Sequence, residues 1–485
     1  MGGGFIEGRW VTGLGAPFTV ENPSTGAVVT SVTGMSLEQI SDAIRAARHA
    51  FDAATWADLP FGTRAEIVRR YVAALETRAD KIIDLIALET GCPRFTSSMR
   101  SQVQTPLAQA HQIIDLAQSL PDYEDNPLPI GERVNLMNQP YQSLRHYTPV
   151  GVVAAIAAYN FPFLTALWKV IPALITGNTV VLRPSPLTPL SAAVFGEAAE
   201  EAGLPPGVLN LVLERGTEGG QLLTTHADVD MVAFTGSTSV GVQVMQQAAA
   251  TMKRLQLELG GKSAQIFLPD AIDKVVPVMV GACTAHAGQG CALGTRIFVP
   301  EADKPAILEK IRTAFAAIRI GGADDPSTQL GPVISAAQRA RCEHFVALAV
   351  ERGGVVVTGG RRPAAPGEGF FFEPTVLDLP DNSNPAAQEE IFGPVLCIIG
   401  YRDLDHAVQM ANDSRYGLSG YVFGADRRKA LEVGLRIKSG TVNVNGAMMS
   451  SYVSAGGQRM SGVGRERGIE GIRLYQQLTC INMGA

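Results

Sequence analysis

Two short runs in this chain of 485 residues carry groups able to do covalent chemistry on a carbonyl: Gln256-Leu257-Glu258-Leu259-Gly260-Gly261-Lys262 and Gly288-Gln289-Gly290-Cys291. A thiol among glycines is a candidate nucleophile, because backbone and ligand can approach it closely. Its attack on a carbonyl carbon would form a tetrahedral adduct whose collapse can expel hydride to an acceptor. For a lone cysteine the competing reading is a small buried apolar group. The glycine setting favours chemistry for Cys291, whereas Cys283 lacks that setting and reads as structural. Glu258 is the candidate general base. It would otherwise be a solvated charge, a reading that its flanking leucines oppose. More chain separates the two groups than one helix can bridge, so the fold must bring them together. Upstream, Tyr159-Asn160-Phe161-Pro162-Phe163 follows the apolar run 152–157. An asparagine here is commonly a turn residue, but the end of a parallel strand is where such sheets bind ligands. Asn160 can then offer its side-chain N–H to an oxyanion, together with the backbone N–H of Cys291.

The elements that must position these groups follow from periodicity. Ser36-Leu37-Glu38-Gln39 reads as a capping box opening an amphipathic helix. One helix is expected over 63–90, ending at Gly91 and Pro93. From Val150, apolar runs at 152–157, 180–182, 208–212 and 231–234 alternate with helical segments at 163–175, 190–202 and 240–250. That alternation implies parallel βαβ units with a sheet buried on both faces. Past Gly261 it resumes, with helices at 302–316 and 338–352 and a strand at 395–399, as in a second α/β domain. Segments 126–147 and 474–481 lack a helical period and read as strands away from either core. Phe234-Thr235-Gly236-Ser237-Thr238 leaves an apolar strand and opens a helix, so its backbone can approach a pyrophosphate, although it would serve equally as a plain helix cap.

Composition narrows the function. The length implies two or three domains. A net charge of −6 opposes binding to a nucleic-acid backbone. Six cysteines and seven histidines show no metal-ligand spacing, which fits free thiols in a reducing, cytoplasmic setting. No basic segment leads into an apolar signal core. The apolar stretch 150–175 is interrupted by Asn160, Pro162, Lys169 and Pro172, so no membrane partner is expected. No G-x-S-x-G run is present for a serine hydrolase.

These runs, in this order, together with an entry strand Phe5 to Val11, Glu21 to Gly26, Glu389-Glu390-Ile391-Phe392-Gly393-Pro394 and Ser461 to Glu466, resemble the aldehyde dehydrogenase superfamily. The resemblance implies an α/β fold with a Rossmann-type parallel-sheet domain binding NAD(P)+ (1–125 and 149–260) and an α/β catalytic domain (261–445). It further implies a small β oligomerisation arm with a C-terminal return segment (126–148 and 446–485), in a homodimer or homotetramer. By the same resemblance, Cys291 is the nucleophile, Glu258 the base, Asn160 the oxyanion donor, and Lys169 a lysine behind the cofactor site. Cofactor contacts carry over to Ile156, Tyr159, Arg183, Ser185 and Gly216, to Thr235, Gly236, Ser237 and Leu259, and to Glu390 and Phe392 on the nicotinamide ribose and ring. Because the coenzyme-A-acylating branch usually lacks the carboxylate, Glu258 implies water as acyl acceptor and a free acid as product.

Departures from the family pattern bear on specificity. In Arg183-Pro184-Ser185-Pro186 an arginine replaces the more usual lysine, and a proline stands where NAD-preferring members often carry a glutamate. With that carboxylate gone, Arg183 could pair with a 2′-phosphate; NADP is permitted, and relatives with this Pro-Ser-Pro sequence tip the balance slightly to NAD. Ala285 and Ala455 replace frequent phenylalanines, Thr165 is small, and Tyr159 replaces a frequent tryptophan, so a wide tunnel for a bulky or aromatic aldehyde is expected. Trp168 stands where semialdehyde-specific relatives tend to place arginine, which favours an uncharged substrate. His286 stands where asparagine is common, and a loop hydrogen bond is its expected role. Two readings compete with the dehydrogenase: a cofactor-independent thiol esterase using Cys291 with Glu258 or His286, and a non-catalytic structural relative. Ile6-Glu7-Gly8-Arg9 spells a protease-cleavage tag but reads as native, and Gly2 to Gly4 find no place in the pattern.

Overall fold

The computed structural model describes residues 3–446 and 450–484. Its core is an eight-stranded sheet in the order Gly462–Val463, Arg254–Glu258, Met231–Thr235, Val152–Ile156, Thr179–Arg183, Leu209–Val212, Gly4–Ile6, Arg9–Val11. The five strands from Arg254–Glu258 to Leu209–Val212 run parallel, and the two edges are antiparallel. Those five are mostly apolar and buried, as a sheet covered on both faces requires. The helices Leu37–Asp52, Pro162–Ile175, Ala193–Ala202 and Thr238–Ala248 belong to this unit. The expected capping box is formed: Ser36 Oγ accepts from Gln39 N, and Gln39 Oε1 accepts from Ser36 N.

A second, seven-stranded sheet follows the order Val355–Thr358, Thr375–Asp378, Val395–Tyr401, Gly294–Pro300, Ser263–Phe267, Ser419–Phe423, Thr441–Val444, antiparallel only at its first pair. A three-stranded antiparallel sheet joins Gln476–Gly484, Tyr141–Pro149 and Tyr123–Asp125 away from both. Among the described residues no helix is long and apolar enough to cross a membrane, and no group of His, Cys, Asp and Glu could hold a metal ion.

Four expectations need correction. The helix expected over 63–90 is two helices, Phe61–Glu76 and Ala79–Thr90. At the break, Thr77 Oγ1 and an Arg78 guanidinium N–H both bond to Ala74 O, so side chains compete for a helical carbonyl. The strand Phe5 to Val11 is a hairpin turning at Glu7 and Gly8, both with positive φ. Gly3 and Gly4 belong to this region: a Cβ on Gly4 would stand 2.2 Å from Leu211 O, while Gly2 lies outside the described residues. The strand expected from Asn126 begins only at Tyr141, because Pro127, Pro129 and Pro140 lack the N–H that a ladder needs.

The turn that carries Lys262 is tied down from inside. Arg296, on the strand Gly294–Pro300, is almost fully buried and donates to Lys262 O at 2.9 Å, Asn382 Oδ1 at 2.9 Å, Met410 O at 3.0 Å and Ala411 O at 2.9 Å. Arg296→Met would strand these acceptors, each unsatisfied group costing roughly 1–3 kcal/mol. The expected outcome is a clearly lower unfolding midpoint by calorimetry; a midpoint equal to that of the unsubstituted protein would show that the turn at Lys262 is held by other means.

Candidate active site

The two sheets meet with opposite polarity. Asn160, Arg183, Gly236 and Glu258 lie at or just beyond the C-terminal ends of parallel strands of the first sheet. Lys262, Cys291 and Phe392 lie just before the N-terminal ends of three neighbouring parallel strands of the second, Ser263–Phe267, Gly294–Pro300 and Val395–Tyr401. Ligand sites form outside the carboxyl ends of strands in open α/β sheets, and here the second sheet supplies the thiol across that crevice.

Glycines make the approach close. A Cβ on Gly261 would stand 2.5 Å from Cys291 O, one on Gly288 2.1 Å from Gly393 O, and one on Gly260 2.3 Å from Glu390 Oε2. The loop before Cys291 hangs on the buried Gln289: its amide donates to His286 O at 3.1 Å, its Oε1 accepts from Ile334 N at 2.9 Å, and its carbonyl accepts from Asn160 Nδ2 at 2.9 Å. Asn160 has a second amide N–H beyond the one so used. His286 does not fill its expected role. The loop bonds are made by its backbone and by Gln289, while its Nε2 has no partner and its ring lies edge-on to Phe161 at 5.5 Å. Burial holds this imidazole down to about 4, so it is neutral near pH 7. His286 and Ala287 both have positive φ, which strains non-glycine residues next to the Cys291 loop.

Carboxylates surround the thiol. Burial first, then the charges of Glu390, Glu258 and Glu466, push the Cys291 thiol up to about 12. Glu258 is buried with Oε1 unpartnered. Burial and the Glu466 carboxylate hold it well above the usual carboxylate range, opposed by Lys169, Arg465 and Arg467. Lys169 Nζ is fully buried and bonds to Glu466 Oε1 at 2.5 Å. Glu466 ends the terminal run Ser461 to Glu466, and no local signal marks it as a partner of Lys169, 297 positions away. Burial pushes Glu390 up to about 7 against the Gly261 N–H, which it accepts at 2.9 Å, and against Lys262, Arg341 and Arg415.

A dinucleotide fits this crevice. Ser237 caps the helix Thr238–Ala248 and leaves its first N–H groups facing outward. Gly241 packs on Leu259 so closely that a Cβ would stand 2.4 Å from its side chain, and Thr235 Oγ1 is buried without a partner. Ile156 ends its strand in the core, and Ser185 Oγ accepts from Leu187 N at 3.3 Å. Phe392 meets the Tyr159 ring edge-on at 5.9 Å, so Tyr159 is placed beside Phe392 and Glu390. Arg183 is not free. It is paired with Glu214 and bonded to Gly216 O, a pairing the sequence reading missed.

Fold and site together define a dehydrogenase-type architecture: a dinucleotide-binding sheet facing a thiol-bearing catalytic sheet. The aldehyde dehydrogenase family model matches residues 10–481, and the chain belongs to that family. Geranial dehydrogenase of Castellaniella defragrans is 38% identical over 98% of this chain and 97% of its own length. Betaine aldehyde dehydrogenase of Bacillus subtilis is 33% identical, over 98% and 96%. A mutant of aldehyde dehydrogenase C from Pseudomonas syringae, in complex with NAD+ and octanal, superposes with TM-score 0.92 at 36% identity, covering 99% of this chain and 96% of that one. Betaine aldehyde dehydrogenase from Staphylococcus aureus in complex with NAD+ gives TM-score 0.92 at 34% identity, covering 99% and 94%. The protein is an NAD(P)+-dependent aldehyde dehydrogenase.

The charge pattern yields a nucleotide-free prediction. Iodoacetamide labelling of the Cys291 peptide, followed by mass spectrometry, should be slow at pH 7 and still rising at pH 10. Glu390→Gln removes a charge that opposes the thiolate, so its labelling at pH 9 should be faster. An unchanged rate would show that Glu390 does not reach the thiol electrostatically.

Proposed function

We propose that this enzyme oxidises a bulky or aromatic, uncharged aldehyde to the free acid, with Cys291, Glu258, Asn160 and Lys169 in distinct roles. The observation that carries the chemistry is the unpartnered, buried Glu258 carboxyl on the same crevice as a thiol that its charge perturbs. Glu258 takes the Cys291 proton, and the thiolate forms a C–S bond to the aldehyde carbon. The resulting oxyanion is met by the remaining Asn160 amide N–H and the Cys291 backbone N–H, donors that typically contribute about 3 kcal/mol each. When bound, the nicotinamide ring would supply the acceptor for the hydride that leaves the C–S adduct. Glu258, once it has released the thiol proton to solvent, deprotonates water, which attacks the thioester carbon; the C–S bond breaks, the departing thiolate takes the proton from Glu258, and the acid leaves. Lys169 and Glu466 position Glu258 and set its proton affinity.

Substrate class rests on the tunnel side. Ala285 and Ala455 are partly exposed and small. Thr165 is buried and its Oγ1 accepts from Ala158 N at 3.3 Å, so its hydroxyl is engaged with backbone. Trp168 donates to Gln109 Oε1 at 2.8 Å and carries the Arg467 guanidinium over its ring at 4.9 Å. That cation opposes a quaternary-ammonium aldehyde of the betaine type. Geranial, for which one relative is named, and octanal, held in the complex of another, are uncharged and apolar, which supports the same class. Arg467 equally offers a partner to a carboxylated aldehyde, although Glu466 and Glu258 already face its charge. Assembly as a homodimer or homotetramer is supported by the edge strand Gln476–Gly484, which presents Leu478, Ile481 and Met483 to solvent.

Nucleotide reduction followed by absorbance should show kcat/KM for benzaldehyde and for geranial at least about tenfold above those for acetaldehyde, betaine aldehyde and succinic semialdehyde, a gap of about 1.4 kcal/mol, and none with Cys291→Ala. A preference for succinic semialdehyde would reverse the charge argument. Activated-ester turnover at equal rate without nucleotide, and no aldehyde oxidation, would favour the thiol esterase. The base assignment makes a signed prediction. Activity rises with pH as Glu258 ionises; Glu466→Gln removes a carboxylate that disfavours that ionisation and frees Lys169, so the acid limb should move to lower pH. An acid limb that stays in place would remove Glu466 from control of the base.

A further inference from the structure

Arg183 and Glu214 form a nearly buried ion pair at one end of the crevice. Arg183 ends the strand Thr179–Arg183, and Glu214 follows the neighbouring parallel strand Leu209–Val212 by two residues. The guanidinium donates to Glu214 Oε2 through Nε at 3.1 Å and through a terminal nitrogen at 2.6 Å, and that nitrogen also donates to Gly216 O at 2.5 Å. Both side chains are one-tenth exposed. The carboxylate sits against a glycine turn: a Cβ on Gly216 would stand 2.7 Å from Glu214 Oε1, and one on Gly219 3.0 Å from Oε2. Glu218, exposed, lies on the other side of Gly216 and accepts from Thr217 N at 3.0 Å.

The position of this pair identifies what it meets. Arg183 lies three strands along the sheet from Glu258, about 14 Å at the usual strand spacing. Between them lies the helix N-terminus at Ser237, suited to a pyrophosphate. A dinucleotide whose reactive ring is beside Cys291 therefore places its adenosine ribose at Arg183 and Gly216. The two adenine dinucleotides differ there by a 2′-phosphate alone. The arginine that would recognise that phosphate is already satisfied by a carboxylate. Displacing Glu214 would leave its charge unpaired in a poorly solvated corner, with Glu218 adding like-charge repulsion. Ribose hydroxyls, by contrast, are donors that a carboxylate accepts.

We propose that Glu214 is the specificity-determining residue that makes this enzyme select NAD+ over NADP+. It places, just beyond the end of a different strand, the negative charge absent from the Pro184-Ser185-Pro186 turn. The inference rests on the family's nucleotide dependence and not on the choice of aldehyde.

Equilibrium binding of NAD+ and NADP+ by calorimetry, with no aldehyde present, separates the two. The unsubstituted enzyme should bind NAD+ at least tenfold more tightly. Glu214→Gln should tighten NADP+ at least tenfold while weakening NAD+, and the doubly substituted Arg183→Gln, Glu214→Gln enzyme should lose the NADP+ gain, since the freed guanidinium is its source. Equal affinities in the unsubstituted enzyme would overturn the proposal even if Glu214→Gln failed to fold. So would a Glu214→Gln enzyme in which both affinities shift by the same factor, or an NADP+ gain that survives in the double variant and disappears only with the exposed Arg215.

Discussion

The fully buried ammonium of Lys169 is the constraint on which the rest of the site depends. An isolated charge taken out of water costs several kcal/mol, and a partner with good geometry must offset it. Glu466 is that partner, 297 positions away in the chain. Lys169 sits on the helix Pro162–Ile175, whose approach carries Asn160, while Glu466 follows the short strand Gly462–Val463, which pairs with the strand ending at Glu258. One ion pair thus ties the helix that follows Asn160 to the strand that ends at Glu258 through the C-terminal return. It also leaves Glu258 facing a cation and an anion that are already committed to each other, so its carboxyl keeps a high proton affinity and an unpartnered oxygen, which suits the role of base proposed for it.

The second constraint is the polarity of the two sheets. Strands of one sheet end at the crevice and strands of the other begin there, so Glu258, Asn160 and Cys291 arrive on separate elements. On the second sheet's side of the crevice, the segments leading into its strands touch backbone to backbone at Gly261 and Cys291 and at Gly288 and Gly393. A side chain at Gly261 or Gly288 would push those segments apart. Arg296 holds the Lys262 side of this contact from within, and Gln289 holds the Cys291 side from both directions. The thiol itself is held in a field that opposes its ionisation.

Much of this was legible in the residue order. Buried parallel strands announce themselves as short apolar runs, and the capping box at Ser36 and the strand-to-helix turn at Gly236 are local devices with local signals. The failures were local competitions of another kind. Periodicity ran through 63–90 without showing that Thr77 and Arg78 would take the Ala74 carbonyl, and alternation over 126–147 concealed prolines that break the ladder. The position of His286 in the chain does not show its surroundings, where the Phe161 ring and an unmatched Nε2 replace the expected loop bond.

Sequence alone determined the chemical inventory: a thiol, a carboxylate and an amide, each set beside turns that expose them, and a family order that names the reaction. Only the tertiary structure decided which charges stand together. Lys169 with Glu466 and Arg183 with Glu214 are pairings between separate segments, and no period or motif encodes them. They arise because the first sheet gathers segments distant in the chain, by parallel pairing for Arg183 with Glu214 and by the antiparallel C-terminal return for Lys169 with Glu466. There low solvation makes an unpaired cation costly, and the partner each one finds sets the charge pattern of the crevice.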